Sequence, residues 1–250
     1  MKSFSTFITE KTKRPIAVWV VGGAASGKST VGEMALVKGL RMKLVDPDEG
    51  FEQILRKFNL GNEIEKETPE DRKRKEEEKK KLGIKPVSVK DLKDPMDFFK
   101  IKKPTVNGAA AIGREIARRT QEDAIAKQDN IVFVETGVQV GKIRNMKKRL
   151  EDLGYQTFIV YVGIQPKLDL SKEKNFEAVL DVIKQRSNKR ASGGGRKLDD
   201  AILRKSLSGQ EQVKKQLVPI FRTNVLWIDT SKGSVSQNAS KVKARISKLL

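Results

Sequence analysis

Eight consecutive residues early in the chain have the types and spacing of a phosphate-binding loop. They read Gly22-x-x-x-x-Gly27-Lys28-Ser29, and glycines at these positions let backbone N–H groups approach an anion closely. A lysine placed this way reaches the β- and γ-phosphates, and the serine hydroxyl is a Mg²⁺ ligand. The motif predicts a nucleoside triphosphate site with ATP and Mg²⁺ as ligands. Its candidate nucleotide-binding residues are Gly22, Gly23, Ala24, Ala25, Ser26, Gly27, Lys28, Ser29 and Thr30.

The flanking residues supply the two elements that such a loop requires. Residues 16–21, IAVWVV, predict a buried strand, and residues 29–41 have the apolar spacing of a helix. A strand that leads through this loop into a helix directs backbone N–H groups and the helix N-terminus at one anion. The local order therefore supports a ligand-binding loop over an empty glycine-rich turn.

A second predicted strand, residues 43–45, ends in the acidic sequence Asp46-Pro47-Asp48. The carboxyl ends of parallel strands meet at the ligand edge of an open α/β sheet. An acid there can accept the proton of an attacking hydroxyl or bind the water shell of Mg²⁺. We favour Asp48 over Asp46 for this role, and the alternative is that Asp48 caps a helix at residues 51–58.

A third predicted strand, residues 130–137, ends in Glu135-Thr136-Gly137. Its apolar run is continuous, which suits a strand buried on both faces. Glu135 lies where it can act on a Mg²⁺ water shell or on an acceptor substrate, and its alternative role is to stabilise the start of the following helix.

A basic, glycine-rich turn joins two predicted helices at residues 176–190 and 199–218. It reads Ser192-Gly193-Gly194-Gly195-Arg196-Lys197. A kinase lid must bring cations to a transferring phosphoryl group and must open for product release. The alternative is a solvated basic turn. The candidate lid cations, in a segment at about residues 184–200, are Arg186, Arg190 and Arg196.

Strands and helices alternate along the chain, which predicts an α/β fold with a parallel sheet. Further strands at residues 155–162 and 224–229 bring the total to five. We expect a P-loop NTPase fold in which helices flank this sheet. The predicted domain covers residues 16–250 and follows an N-terminal arm at 1–15. A charged helical insertion interrupts it at about 61–107, where residues 62–81 alone contain eight acids and eight bases.

The composition limits the available chemistry. The chain has no cysteine and no histidine, so disulfides, Cys/His zinc sites and thiol catalysis are excluded, and a general base must be a carboxylate or a lysine. No apolar run approaches the roughly 20 residues that span a bilayer, and no signal-like segment begins the chain. We therefore expect a cytoplasmic protein with no membrane partner. The lysine-rich composition also resembles proteins of large tailed phages, which act in the host cytoplasm.

The net charge of +20 is large for 250 residues, and much of it lies in the C-terminal part. Residues 141–250 contain 24 Lys and Arg against 10 Asp and Glu, an excess of 14. Such an excess attracts polyanions, with nucleic acid first among them. General solubility charge accounts for it equally well. No pattern specifies an oligomeric state.

Other NTPase classes fit the sequence less well. There is no Asn-Lys-x-Asp stretch for guanine recognition. The segment Leu207-Ser208-Gly209-Gln210 is similar to the signature of transporter ATPases, but the histidine of their switch is missing, so we interpret it as coincidence within a helix. A motor ATPase would need further motifs.

Four segments together resemble the zeta-toxin-like P-loop kinases, which are close in plan to polynucleotide kinases. These are the loop at 22–29, Asp46-Pro47-Asp48, Glu135-Thr136-Gly137, and Arg186-x-x-x-Arg190-x-x-Gly193-Gly194-Gly195-Arg196. The resemblance covers residues 16–60 and 107–231, leaving the insertion and both termini outside. It implies a five-stranded parallel sheet that binds ATP.

The same resemblance implies a role for each candidate residue. Asp48 would be the base toward a substrate hydroxyl and a contributor to the Mg²⁺ site, Lys28 would bind the phosphates, and Ser29 would ligate Mg²⁺. Arg186 with Arg190 or Arg196 would stabilise the transferring phosphate, and the acceptor-binding candidates are Asp46, Glu135 and Thr136. Zeta toxins phosphorylate a UDP-linked amino sugar. The insertion and the basicity depart from that pattern, so we expect a nucleotide or nucleic-acid hydroxyl as acceptor, with the amino sugar as the alternative. A further alternative, from another class, is a nucleic-acid-binding or phage-particle-associated protein whose loop holds ATP without catalysis or hydrolyses it slowly.

Overall fold

The computed structural model describes three stretches of the chain and one isolated residue. They are residues 14–58, 60, 88–192 and 198–250. Three sequence predictions fall outside these ranges: the N-terminal arm up to residue 13, the charged helix at 63–81, and Arg196. Arg190 is described for its backbone alone, within a helix.

Five strands form one parallel sheet, which confirms the predicted fold class. They are β1 (Ile16–Val21), β2 (Lys43–Val45), β3 (Ile131–Glu135), β4 (Gln156–Gly163) and β5 (Val225–Asp229). Their order across the sheet is β2-β3-β1-β4-β5. The chain fills one side of β1 before it crosses to the other, so β1 lies at a switch point of the winding. Ligands bind beyond the carboxyl ends of strands at such a point.

Strand β1 is the centre of the sheet and is buried along its whole length. Val18 and Val20 belong to the hydrophobic cluster on one face. Side chains alternate along a strand, and Trp19 stacks on Phe133 with ring centroids 4.8 Å apart. Both faces of β1 are therefore covered, as its continuous apolar sequence predicted.

Helices connect the strands. Among the described residues they are α1 (Lys28–Gly32), α2 (Pro47–Lys57), α3 (Phe98–Ile101), α4 (Val106–Ala126), α5 (Val140–Asp152), α6 (Glu173–Ser192), α7 (Asp200–Gln212) and α8 (Val235–Ser247). A π-helical segment (Glu33–Lys38) continues α1, and a π-helical and a 3-10 segment (Val213–Leu217 and Val218–Phe221) continue α7. Shorter 3-10 turns lie at Val89–Asp91 and Pro95–Asp97. None of the described helices has the length and apolarity needed to cross a membrane.

The chain divides into two compact units. The first combines Met1–Leu44 with Ala124–Leu250, and the second is Val45–Asp123. In the first unit, α8 packs on the continuation of α1 through Val242 and Leu36 in one core cluster. Helices α6 and α7 pack on each other in a separate cluster. The first unit therefore contains the sheet centre and the phosphate loop.

The second unit has its own core, built where α2 and α4 meet. A Cβ on Gly113 would lie 2.8 Å from the backbone nitrogen of Phe51 and 2.9 Å from the carbonyl oxygen of Pro47. Only glycine permits this approach, so the first turn of α2 is packed against α4. The predicted insertion at about 61–107 lies inside this unit, and its limits stay a prediction because residues 61–87 lie outside the described ranges.

In the second unit, a buried carboxylate on α4 pairs with two arginines, one of which also contacts an earlier segment of the chain. Glu115 on α4 is 3% exposed and accepts hydrogen bonds from Arg118 Nη2 at 2.7 Å and Arg119 Nε at 2.8 Å. Arg119 also donates to the carbonyl oxygens of Leu92 and Lys93. Hydrogen bonds from Arg118, opposed by burial and supported by Arg119, lower the pKa of Glu115 to about 2.

Replacing Glu115 with glutamine is expected to destabilise the second unit at neutral pH by about 1 to 3 kcal/mol, because two arginines lose a charged partner. The Glu115 pKa falls from 4.5 unfolded to about 2 folded. Its contribution is therefore complete above about pH 4.5 and disappears toward pH 2. Hydrogen exchange of α4 amides at neutral and acidic pH measures it. A difference between variant and parent that stays the same at both pH values would contradict this role.

Candidate nucleotide-binding site

Two glycines determine the shape of the loop after β1. A Cβ on Gly22 would lie 2.1 Å from the carbonyl oxygen of Val162 and 2.7 Å from Ser26 Oγ, so any larger residue would displace the loop. Gly27 has a φ of +89°, which glycine adopts without a Cβ penalty, and it precedes α1. The loop can therefore run close against β4 and still turn directly into the helix.

The loop contains a buried hydroxyl that lacks a protein partner. Ser26 is 3% exposed, and its Oγ has no hydrogen-bond partner among the described residues. A buried polar atom in this state is unfavourable until a water or a ligand oxygen satisfies it. The glycine cradle and this hydroxyl fit the phosphate oxygens of a nucleotide.

The residues present also fit Mg²⁺ in its usual nucleotide-bound form. No group of three or more His, Cys, Asp or Glu side chains in the described ranges could bind a metal by itself. Mg²⁺ beside nucleotides is commonly ligated by one or two protein oxygens together with phosphate oxygens and water. The exposed Ser29, in the first turn of α1, can supply such an oxygen.

Thr230, directly after β5, links Arg186 to the phosphate loop. Arg186 donates from Nη1 to Thr230 Oγ1 at 2.8 Å and from Nη2 to Thr230 O at 2.7 Å. The Thr230 hydroxyl lies 2.9 Å from the carbonyl oxygen of Ser26 and 3.2 Å from that of Gly163, so it can donate to either. Of the predicted lid cations, Arg186 is thus brought to the loop.

A cleft of about 670 Å³ lies over the loop, within the size range of small-ligand sites. Lys28 and Arg186 are the two charged residues among its described lining. The first turn of α8, which begins with a capping box between Ser234 and Gln237, completes the wall. Because both charges are positive, the cleft favours an anionic ligand.

Helix α7 contacts the phosphate loop directly. The Ser206 hydroxyl accepts a hydrogen bond from the backbone nitrogen of Ala24 at 2.8 Å. Gln210 is buried beside Gly23, accepts from the Tyr161 hydroxyl at 2.9 Å, and donates to the carbonyl oxygen of Thr136 at 3.3 Å. Burial raises the pKa of Tyr161 well above its usual value, so this hydroxyl remains a donor at neutral pH.

These α7 residues and Thr230 were not predicted from the sequence. Gln210 belongs to the segment that we interpreted as a coincidence, and its contact is with the carbonyl of Thr136 rather than with a transporter partner. A single Ser, Gln or Thr belongs to no motif of neighbouring residues that would mark it as part of a binding site. For Ser206 and Gln210, the available clue was their position on the same face of α7 as the buried Leu203 and Leu207.

The two acceptor-side candidates on β3 lie next to the loop. In the sheet register Glu135 is the partner of Val21, the last residue of β1. Thr136 follows it, with its carbonyl engaged by Gln210. The strand end therefore adjoins the start of the phosphate loop, and the acceptor-side roles of Glu135 and Thr136 stay predictions.

Asp46 and Asp48 begin α2 in the second unit. Asp46 is the N-cap of α2, and its Oδ1 accepts from the backbone nitrogens of Asp48 at 2.9 Å and Glu49 at 3.4 Å. The interpretation of Asp48 as the cap was therefore wrong, because Pro47 starts the helix earlier than expected. The exposed Asp48 lies in the first turn, while Asp46 satisfies the helix end.

Replacing Thr230 with valine is expected to weaken ATP binding about tenfold while the fold is kept, because the valine side chain has the same shape but can neither accept from Arg186 Nη1 nor donate to the loop carbonyl. Calorimetric titration with ATP measures this. Thr230→Ser retains the hydroxyl and should bind like the parent. If the valine variant binds ATP as tightly as the serine variant, the hydroxyl does not position the site.

No family model and no curated protein sequence matches the chain. Solved structures do resemble it. A candidate kinase from Chloroflexus aurantiacus has a TM-score of 0.51 at 14% identity, covering 96% of this chain and 100% of the other. A gluconokinase from Sinorhizobium meliloti has 0.44 at 14%, covering 95% and 94%. A chain of the PezAT toxin–antitoxin system from Streptococcus pneumoniae has 0.44 at 11%, covering 95% and 87%. The first similarity shows that the chain shares the fold of that structure, an α/β fold with the five-stranded parallel sheet predicted from the sequence.

Proposed function

We propose that this protein, which has the P-loop kinase fold, is a Mg-ATP-dependent phosphotransferase that acts on a hydroxyl of a nucleotide or nucleic acid. One observation carries the proposal: the loop and Arg186 line a single cleft whose charged described residues are both cations. A fold alone does not establish an activity. The placement of two cations and an unsatisfied buried hydroxyl at this loop is what favours nucleotide chemistry.

The donor side uses residues of the first unit. Lys28 would bind the β- and γ-phosphate oxygens, and backbone N–H groups of the loop would orient them. Arg186 would stabilise charge on the transferring phosphoryl group, with Thr230 as its positioning residue. Mg²⁺ bound by Ser29 and phosphate oxygens would neutralise charge on the departing diphosphate. Arg190 and Arg196 remain proposed lid cations.

On the acceptor side, we assign the base role to Asp48. Its carboxylate would take the proton of the acceptor hydroxyl as that oxygen bonds to the γ-phosphorus, and the bond from this phosphorus to the β,γ-bridging oxygen would break to release ADP. Asp48 is chosen because it follows the carboxyl end of β2 and because Asp46 already serves as the helix cap. We propose Asp46, Glu135 and Thr136 as acceptor contacts.

The net charge of +20 supports an acceptor that is itself a polyanion or a nucleotide. A UDP-linked amino sugar also carries negatively charged phosphates and is the alternative acceptor. Either acceptor would present a hydroxyl to the same ATP-binding residues. They are separated by a direct transfer assay.

The test is transfer of label from γ-labelled ATP with Mg²⁺ to three acceptor sets offered in parallel. These are oligonucleotides with 5′-hydroxyl ends, free nucleosides and nucleotides, and UDP-linked amino sugars. We expect label on an acceptor of the first two sets and none with the Lys28→Ala variant. Label on the amino sugar alone would replace the proposed acceptor. Label released only as phosphate would contradict a transferase.

A further inference from the structure

A second cleft lies beside the edge strand β5. It has a volume of about 600 Å³ and shares no described lining residue with the nucleotide cleft. One tryptophan, two lysines, one aspartate and two apolar residues characterise it. They are Trp227, Lys167, Lys232, Asp229, Pro166 and Leu168.

Trp227 is the aromatic surface of this cleft. It is partly buried, and Tyr161 supports it with ring centroids 5.0 Å apart. The chain's other tryptophan, Trp19, is 1% exposed in the core. A supported tryptophan that lines an open cleft offers a flat surface on which a nucleobase can stack.

The charges around Trp227 suit phosphate groups. Lys167 and Lys232 are exposed, and Asp229 is the single acid among the described lining residues, which leaves a net charge of +1. Asp229 Oδ1 is occupied by hydrogen bonds from the backbone nitrogens of Gln165 and Ser231 and from the Ser231 hydroxyl. These hydrogen bonds stabilise the Asp229 carboxylate as an anion and engage one of its two oxygens within the protein.

The sequence beyond this cleft extends the positive charge. After Asp229 the chain contains five Lys or Arg residues and no Asp or Glu. Four of these bases, Lys241, Lys243, Arg245 and Lys248, are exposed on or directly after α8. These cations add to the positive charge of the C-terminal part of the chain, which attracts a polyanion.

We infer that the β5 cleft binds single-stranded nucleic acid, with one base stacked on Trp227 and the neighbouring phosphates bound by Lys167 and Lys232. An aromatic platform between cations is the combination that single-strand binding uses, because every base has a π-face and every linkage a phosphate. A duplex keeps its bases stacked internally and cannot offer one to Trp227. This inference goes beyond the proposed function, since it requires neither ATP nor phosphoryl transfer.

The test is fluorescence anisotropy of labelled (dT)₁₂ with the full chain, without ATP, over a series of KCl concentrations. We expect Trp227→Ala to weaken binding about tenfold and Trp227→Phe to keep most of it, because phenylalanine still stacks. Lys232→Ala should lower the slope of log affinity against log salt by about 0.7. The matched control, Lys142→Ala on the exposed surface of α5, should leave (dT)₁₂ affinity nearly unchanged.

ATP titration of each variant checks that the fold is intact and keeps this test separate from the phosphotransferase assay. Equal (dT)₁₂ affinity in the parent and in Trp227→Ala would overturn the inference, and so would a parent that fails to bind (dT)₁₂ at about 50 mM salt. Equal competition by heparin, which has no bases, would show that charge alone attracts the strand and would also overturn it.

Discussion

Replacing Lys28 with alanine is expected to lower kcat/KM for ATP by at least about 100-fold, the usual effect of removing one preorganised charge from a transferring group. Lys28 begins α1 and lines the cleft over the phosphate loop. Arg186 is the other charged residue in the described lining, so the alanine variant removes half of the cleft's positive charge. Both ATP affinity and turnover should fall, because in the proposed role Lys28 would bind the same phosphates in the ground state and in the transition state.

Initial rates of phosphoryl transfer and calorimetric titration with ATP measure these two effects. Lys38→Ala is the matched control, since Lys38 lies on the same helical run but pairs with Glu33 at 2.8 Å on the surface. It should change neither quantity. An alanine variant at Lys28 with parental ATP affinity would mean that the loop does not bind the phosphates as proposed.

Replacing Asp48 with asparagine is expected to lower kcat by about 100- to 10,000-fold, the range for loss of a general base. ATP affinity should stay unchanged, because the proposed role of Asp48 is toward the acceptor hydroxyl. Asparagine keeps the size of the side chain, and the helix cap belongs to Asp46, so α2 should remain folded. The combination of lost turnover with intact binding separates this variant from Lys28→Ala.

Glu49→Gln is the control for Asp48→Asn. Glu49 is the next acid in the same exposed turn, and its carboxylate accepts a hydrogen bond from Gln53 at 3.2 Å. Single-turnover rates with saturating ATP compare the two variants directly. Full activity in Asp48→Asn would remove Asp48 as the base, and a similar loss in both variants would indicate a general effect of charge.

The two helices beside the predicted lid are both attached to the phosphate loop. Helix α6 reaches it through Arg186 and Thr230, and helix α7 through Ser206. Residues 193–197, which join these helices, lie outside the described ranges. Within the described part of the predicted lid segment, Arg186 is positioned by Thr230, the residue that follows β5.

The local sequence was sufficient to predict β1, the phosphate loop and the start of the first helix. The spacing from Gly22 to Ser29 and the apolar run before it were sufficient to predict strand, loop and helix, because the chemistry of a phosphate loop depends on neighbours in sequence. Continuous apolar runs likewise predicted the buried parallel strands, since a strand covered on both faces has no polar side. The start of α2 was predicted less accurately, because an acid on either side of Pro47 can cap a helix.

The tertiary structure decided the contacts that join distant residues. Arg186 and Thr230 are 44 positions apart, Gln210 and Thr136 are 74 apart, and Thr230 and Ser26 are 204 apart. No local pattern encodes such pairs, because they depend on how the crossovers pack on the sheet. The sequence by itself thus determined the order of strand, glycine-rich loop and helix, from which we predict phosphate binding. The folding of α6, α7 and β5 around that loop decided which arginine, glutamine and threonine surround it.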